Sequence, residues 1–360
     1  MDKYLFKQVE IEKQFILFFL CGTHFNRNNK RDKRTVLKRY LESIDSRNRA
    51  IILEENFIFR EKSTKKYLAY DEIFLKNLFD VELLASLLAD KIFIIHESIS
   101  TAAELGLFAS NEEITKKICL LVPDKYNVEE KKLSKFIELA FLKRKPSIHT
   151  IYYYPIVKEN KISLTKSDYH TYFYNDKIGK NLSNNIKRFI DNDSNKTVDL
   201  HIKESKFNGH IKDYLTYHVN KKNKKINIYL PIEVIKSQII SLFNIKEFTR
   251  KLRSIDNIKD VVNEVQKLYE DILSNTIGEL KGLIIDEYKL YYNVINESQP
   301  KLRLRQTIGY ILYILQAMDM IELPSVGEKL TIKTSFKLLY QEYEKCIEKS
   351  KLKEFSFLGR

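Results

Sequence analysis

The first 150 residues alternate short, continuous apolar runs with stretches whose apolar residues recur every three or four positions, and few folds accept that alternation. Phe15–Cys21 (FILFFLC) is a strand-sized run closed by Gly22, and Ala50–Leu53 is a shorter one. Lys91–His96 (KIFIIH) and Ile118–Val122 (ICLLV, ended by Pro123) complete the set. A strand that is apolar at successive positions is covered on both faces, which is the pattern of a parallel sheet. Between these runs, Asp32–Ile44, Tyr70–Ala89, Thr101–Ser110 and Ser134–Lys143 carry helical spacing. The alternation predicts an α/β domain built on a doubly wound parallel sheet over residues 1–147. Ligands in such sheets bind outside the carboxyl ends of the strands. The segments after Cys21, Leu53 and His96 are therefore where chemistry is expected.

The pattern then changes. Residues 148–230 are rich in tyrosine (Tyr152–Tyr154, Tyr169, Tyr172, Tyr174) and carry the basic run Lys221–Lys225, which reads as an irregular connector with some short strands. Residues 231–360 are again helical in spacing, at Ile232–Leu242, Ile258–Leu273, Leu283–Ile295 and Leu302–Met320. Glu322–Ile332 (ELPSVGEKLTI) then looks like two strands around a turn, followed by a helix from Ser335. Helices, a small hairpin and a closing helix give a mostly helical second domain in winged-helix order.

Composition narrows the function classes. No window approaches the roughly 18 apolar residues of a membrane span, and the first residues lack the layout of a signal peptide. A cytoplasmic protein without a membrane partner is expected. The three cysteines (Cys21, Cys119, Cys346) are far apart and form no CxxC pair, which fits a reducing compartment. The seven histidines form neither HExxH nor a Cys/His cluster, so no metal site is expected, and there is no Walker loop or G-x-G-x-x-G. A net charge of +14 invites a nucleic-acid partner through counterion release. The Lys, Ile and Asn bias of the whole chain is an equally good source of that charge. The oligomeric state stays open, with a homo-oligomer allowed.

One segment concentrates chemistry: His96-Glu97-Ser98-Ile99-Ser100-Thr101-Ala102-Ala103-Glu104-Leu105-Gly106. A strand ends and a helix begins there, so backbone N–H groups point at any bound anion. Hydroxyls at Ser98, Ser100 and Thr101 crowd the turn, and Glu104 stands one turn into the helix facing the same mouth. Such an arrangement suits a glycosidic bond, because a carboxylate stabilises the cationic, oxocarbenium-like transition state at the anomeric carbon. Thr101-x-x-Glu104 is also the spacing of a capping box, in which the glutamate would serve only the helix's own N–H groups.

The stretch from Phe15 to Pro123 resembles the nucleoside 2-deoxyribosyltransferase fold, and more narrowly the toxic effectors encoded beside bacterial retrons. Ser100-Thr101-Ala102-Ala103-Glu104-Leu105-Gly106 occupies the transferases' Gly-Ser/Thr-x-x-Glu-x-Gly segment, with Ser100 in place of the motif glycine. Phe19-Leu20-Cys21-Gly22, Glu97-Ser98 and Glu104 to Phe108 match the retron effectors. His96 stands where a proline often precedes the Glu-Ser pair, and the transferases' aspartate before the glycine is missing, with Glu97 one position away. The resemblance implies an N-glycosidase with Glu104 as catalytic carboxylate and Glu82, in the preceding helix, orienting substrate or sharing a proton. It implies substrate contacts from Gly22, Thr23, His24, Glu97, Ser98, Ser100 and Thr101. Glu54 and Glu55 end the second strand at the same sheet edge as weaker candidates. The implied substrate is NAD or a nucleotide, with no separate cofactor. The implied setting is anti-phage toxicity, restrained by the retron reverse transcriptase with its RNA–DNA product. Two other readings stay open: a DNA-binding regulator that senses a nucleotide, and a metabolic deoxyribosyltransferase.

Overall fold

The computed structural model describes residues 6, 10–12, 14–22, 25, 29, 31–58, 68–123, 135–143, 147–153, 173–174, 177–191, 197–209, 211, 213–295, 302–324, 328–333 and 343. Thr23, His24, Tyr154, Tyr169, Tyr172, Cys346 and the helix expected from Ser335 lie outside them. The chain divides into two compact units, each assembled from separated stretches. One comprises Phe15–Glu55 and Ala85–Ser194; the other comprises Met1–Gln14, Asn56–Leu84 and Asn195–Arg360.

The first unit holds β1 (Ile16–Cys21), α1 (Lys33–Ile44), β2 (Asn48–Ile51), the last turn of α2 (Leu78–Leu88), β3 (Lys91–Ile95), α3 (Ile99–Ala109), β4 (Ile118–Pro123), β5 (His149–Tyr153) and α4 (Lys180–Asp191). The five strands form one sheet in the order β2-β1-β3-β4-β5, and every pairing is parallel. Side chains alternate between its faces. Phe18 and Leu20 enter a layer with Val36, Leu37 and Leu41 of α1 and Leu182, Ile186 and Phe189 of α4. Phe19 points the other way and meets Phe108 of α3 edge-on, with ring centroids 5.9 Å apart. Helices on both faces explain why these strands read as uninterrupted apolar runs.

Where β3 begins and β5 begins, a lysine and a histidine share one aromatic ring. His149 stacks on Phe189 at 4.9 Å, and the buried Lys91 places its ammonium 4.5 Å from the same ring centroid. Partial desolvation where its ring lies on Phe189, although the residue as a whole reaches solvent, comes first and the Lys91 charge second; together they hold the His149 imidazole below its ordinary value of 6.5. Its contribution to stability is therefore complete above about pH 6.5 and declines as pH falls below it. Titration of ¹³C-labelled histidines by NMR should show His149 ionising below 6.5, and Lys91→Met should move it upward. An unshifted midpoint would refute that environment.

The second unit contains β6 (Ile202–Glu204), β7 (Leu215–Asn220), β8 (Lys225–Pro231), α5 (Ile232–Leu242), α6 (Lys246–Leu252), α7 (Ile258–Lys281), β9 (Lys289–Ile295) and α8 (Leu304–Ala317). Its sheet runs β6-β7-β8-β9, with only the β7–β8 hairpin antiparallel. The long α7 starts where Asn257 accepts from the Asp260 N–H and stops at Gly282, whose φ of 61° an L side chain adopts only with strain. One buried polar chain ties α7 to α5: Tyr269 donates to Gln238 Oε1 at 2.5 Å, and Gln238 Nε2 donates to the Leu200 carbonyl at 2.8 Å. Gly309 of α8 lies so close to the chain at Ile73 that a Cβ there would come within 2.7 Å of the Ile73 carbonyl oxygen. After α8, Ile321–Glu322 pairs antiparallel with Thr331–Ile332.

Four sequence expectations change. Tyr70–Ala89 is not one helix: a 3₁₀ turn at Tyr70–Ile73 is closed by Phe74 in the left-handed region, φ 63°. The helix proper restarts at Leu78, with Asn77 Oδ1 accepting from the Asp80 N–H at 3.0 Å. Residues 148–230, expected to be irregular, contain β5, α4, β6, β7 and β8. Their period-two alternation of tyrosine with polar residues is that of strands with one wet face. Leu283–Ile295, expected to be helical, ends in the strand Lys289–Ile295 because KLYYNVI is rich in aromatic and β-branched residues. Ser134–Lys143 is a short α turn, Lys135–Ile137, running into a π-helical turn, Glu138–Leu142.

Candidate functional site

In a sheet ordered β2-β1-β3-β4-β5 the connections reverse direction between β1 and β3, which opens a crevice at the carboxyl ends of those two strands. Cys21 pairs with Ile94, so Gly22 lies beside the exit of β3 and its His96-Glu97-Ser98 continuation. The first turn of α1 contributes Lys33 and Arg34, and the end of β5 contributes Tyr153.

The start of α3 shows which residues cap it. Ser98 is the N-cap, and Thr101, not Glu104, completes the capping box with it. The Ser98 hydroxyl accepts from the Thr101 N–H at 3.4 Å, and the Ser98 N–H donates to Thr101 Oγ1 at 3.3 Å. Thr101 Oγ1 also donates to the Ser98 carbonyl at 2.7 Å and lies 3.2 Å from His96 Nδ1. Ser98 and Ser100 hydroxyls are 2.7 Å apart. The Thr101-x-x-Glu104 cap is thus replaced by a Ser98–Thr101 cap. Glu104 stands about one and a half turns into the helix, beyond reach of the N-cap groups. It shares a face with buried Thr101, Leu105 and Phe108, and its Oε2 is buried. Helical side chains project toward the helix N-terminus, which carries this carboxylate back toward the mouth formed by Ser98 and Ser100.

Glu97 is held by two groups from other elements. Its Oε1 accepts from Lys33 Nζ and from the Tyr153 hydroxyl. The Lys33 ammonium also lies 5.4 Å from the Tyr153 ring centroid. Burial, and then the Glu97 charge, push the Tyr153 phenol far above its ordinary value, so it remains a proton-bearing donor throughout the working pH range. A second ion pair lies on the β1 side. Arg34, buried, donates from Nη1 to Glu54 Oε1 at 2.9 Å and covers the Phe25 ring at 5.1 Å. Gly22 permits this packing, since a Cβ there would approach Arg34 Cδ to 3.0 Å. Glu55 pairs with Lys38 Nζ at 2.5 Å, so both glutamates after β2 are engaged with α1.

Gly22, Glu97, Ser98, Ser100, Thr101 and Glu104 therefore come from the ends of β1 and β3 and the start of α3, as their sequence positions imply. Thr23 and His24 lie outside the described residues. Glu82 is a half-buried residue of α2, in the stretch assigned to the second unit. Lys33, Arg34 and Tyr153 are the additions. The two cations stand in the first turn of the helix expected over Asp32–Ile44, where nothing in their spacing marks them, and the tyrosine was hidden in a run counted as connector. Its position at the end of a fifth strand was the missing signal. Among the described residues no group of three or more His, Cys, Asp or Glu could hold a metal, and no helix is long and apolar enough to cross a membrane.

Fold and site together define an α/β protein with a carboxylate-bearing, hydroxyl-lined crevice at the switch point of a parallel sheet. The family model described as STM3845 retron effector protein matches residues 30–323, and the chain belongs to this retron effector family. Over 114 residues it is 32% identical to an Escherichia coli protein named "Retron Ec73 putative ribosyltransferase/DNA-binding protein". That match spans 32% of this chain and 33% of the relative, about a third of each.

Proposed function

We propose that the chain is an N-glycosidase that cleaves the bond between C1′ of a ribose and its base, in NAD or a nucleotide, with Glu104 as the catalytic carboxylate. The observation that carries this reading is the make-up of the capping box: Ser98 and Thr101 form it, and Glu104, outside it, lies on the helix face of Thr101, Leu105 and Phe108 beside the exit of β3. The first unit is then a nucleoside deoxyribosyltransferase-like domain, in keeping with the name of the E. coli relative. Gly22, Ser98, Ser100 and Thr101 hold sugar and phosphate, joined by Thr23 and His24. Glu82 is proposed as a second carboxylate serving substrate.

In the first step the Glu104 carboxylate attacks or stabilises C1′ as the C–N bond breaks, and the bonding pair leaves with the base. From NAD the departing nicotinamide is neutral and needs no proton. Water then bonds to C1′, breaking the C1′–O bond to Glu104 where one has formed and freeing the carboxylate; its proton passes to solvent, or to the departed base where a nucleotide has lost an anionic one, leaving the free sugar hydroxyl. Glu97, fixed by Lys33 and Tyr153, sits at the mouth to align hydroxyl groups of the sugar.

In the cell this activity would be toxic and would serve anti-phage defence. It would be restrained by the retron reverse transcriptase with its RNA–DNA product. The second unit, whose α8 is followed by a two-stranded pair in winged-helix order, supplies the nucleic-acid contact.

Incubating the purified chain with NAD, nucleotides and deoxynucleosides, and separating products by chromatography, tests the reading. Release of nicotinamide or free base without a second base present supports a hydrolase, whereas release only with an acceptor base supports a transferase. No release from any substrate, with or without the reverse transcriptase complex, would refute it. Tyr153→Phe keeps the ring and removes the donor to Glu97. It should lower kcat/KM by about 10-fold, the loss expected for one hydrogen bond to a charged group. Unchanged kinetics would remove Glu97 from the site.

A further inference from the structure

The β6-β7-β8-β9 sheet buries one face under helices, and among the described residues its other face is exposed at the end that carries Lys225 and Lys289. Leu215, Tyr217, Ile226, Ile228, Leu230 and Val294 are buried on the side where α5 and α8 pack. The register puts Asn220, Lys225 and Lys289 in one row across the opposite face, and His218, Asn227 and Tyr291 in the next. Lys225 and Lys289 are exposed, and Asn227, Tyr229, Tyr291 and Asn293 are partly so. A solvated sheet face needs polar residues, but it does not need this set.

Three features set it apart. Lys225 and Lys289 lie directly opposite each other on parallel neighbours, an arrangement of like charges that costs stability by itself. Their ammonium groups stand 5.7 and 5.5 Å from the centroid of one ring, Tyr291. Beside that ring, Asn208 Oδ1 accepts from Asn227 Nδ2 at 2.8 Å and from the Tyr229 hydroxyl at 2.9 Å, which fixes the amides and the phenol in place. Paired cations answer phosphates, an aromatic ring between them answers a base, and fixed amides answer base edges.

We propose that this open sheet face binds single-stranded DNA. The proposal rests on the nucleic-acid contact in the proposed function and adds its location and the form of the strand. A flat sheet with a tyrosine flanked by lysines can stack an unpaired base, which a duplex keeps in its own stack. The choice of DNA follows the DNA-binding element in the name of the E. coli relative.

Fluorescence anisotropy of the full chain against a labelled mixed-sequence 20-nucleotide DNA strand, its duplex and the same strand as RNA tests this. The DNA strand should bind most tightly. Tyr291→Ala should weaken it by about 5- to 100-fold, while Tyr291→Phe stays near wild type. Lys225→Gln with Lys289→Gln should flatten the slope of log affinity against log salt by about 1.4; this second variant spares the ring and keeps the test independent of packing at Tyr291. If both sets bind like wild type, the surface assignment falls while nucleic-acid contact stands. Tighter binding of the RNA or the duplex overturns the choice of strand. If the wild-type chain binds none of the three, the proposal and the contact it rests on fall together.

Discussion

Cells expressing Glu104→Gln should grow and keep their NAD where the wild-type chain arrests growth and depletes it, and turnover in vitro should fall by on the order of 10³-fold or more. Glutamine preserves length and shape but carries no negative charge, so it can neither attack C1′ nor balance a cation there. The usual objection is that such a change breaks a helix. The start of α3 answers it: Ser98 and Thr101 supply both capping bonds, and Glu104 supplies neither. The variant should therefore keep the start of α3 intact, which circular dichroism beside wild type checks. Equal arrest by both proteins would mean that Glu104 has no catalytic part. If the wild-type chain is inert alone, the same pair is compared with the reverse transcriptase and its product supplied and then challenged by phage.

The parts of this molecule that were legible in sequence are those where one local rule dominates. Three of the five strands of the first sheet, β1, β3 and β4, are apolar at nearly every position, because both faces are covered, and few arrangements besides a parallel sheet produce that pattern. The strand His149–Tyr153 was obscured for the opposite reason. It is the sheet's last strand in order, and its exposed Tyr152 and His149 break the apolar run. Missing that strand also hid Tyr153 and with it the partner of Glu97. KLYYNVI at Lys289–Ile295 shows a related limit: apolar spacing in a short segment fits a helix or a strand, and pairing with Lys225–Pro231 decides it. The capping assignment failed on a finer scale. Ser98 and Thr101 are both good caps at their spacing, and sequence cannot choose between a helix that begins at Ile99 and one that begins after Thr101.

Phe93→Ala should destabilise the first unit by about 3–5 kcal/mol. Phe93 is fully buried in β3, the middle strand of the sheet. Its ring meets Phe18 of β1 at 6.1 Å and Phe189 of α4 at 5.5 Å, the latter edge-on at 79°. Deleting it removes the contact that ties two neighbouring layers to one strand, and the flanking rings are themselves too constrained to fill the space. The thermal midpoint should drop by roughly 6–20 °C. The same strand leads directly into Glu97 and α3, so the loosened core should also cost activity at temperatures well below the midpoint. Ile99→Ala provides the contrast: Ile99 is 91% exposed at the start of α3, and its loss should change stability by no more than about 0.5 kcal/mol. Calorimetry of the two variants beside wild type decides the matter. A Phe93→Ala protein that melts with wild type would show that β3 is not the centre of this core, and the sheet order on which the site depends would have to be revised.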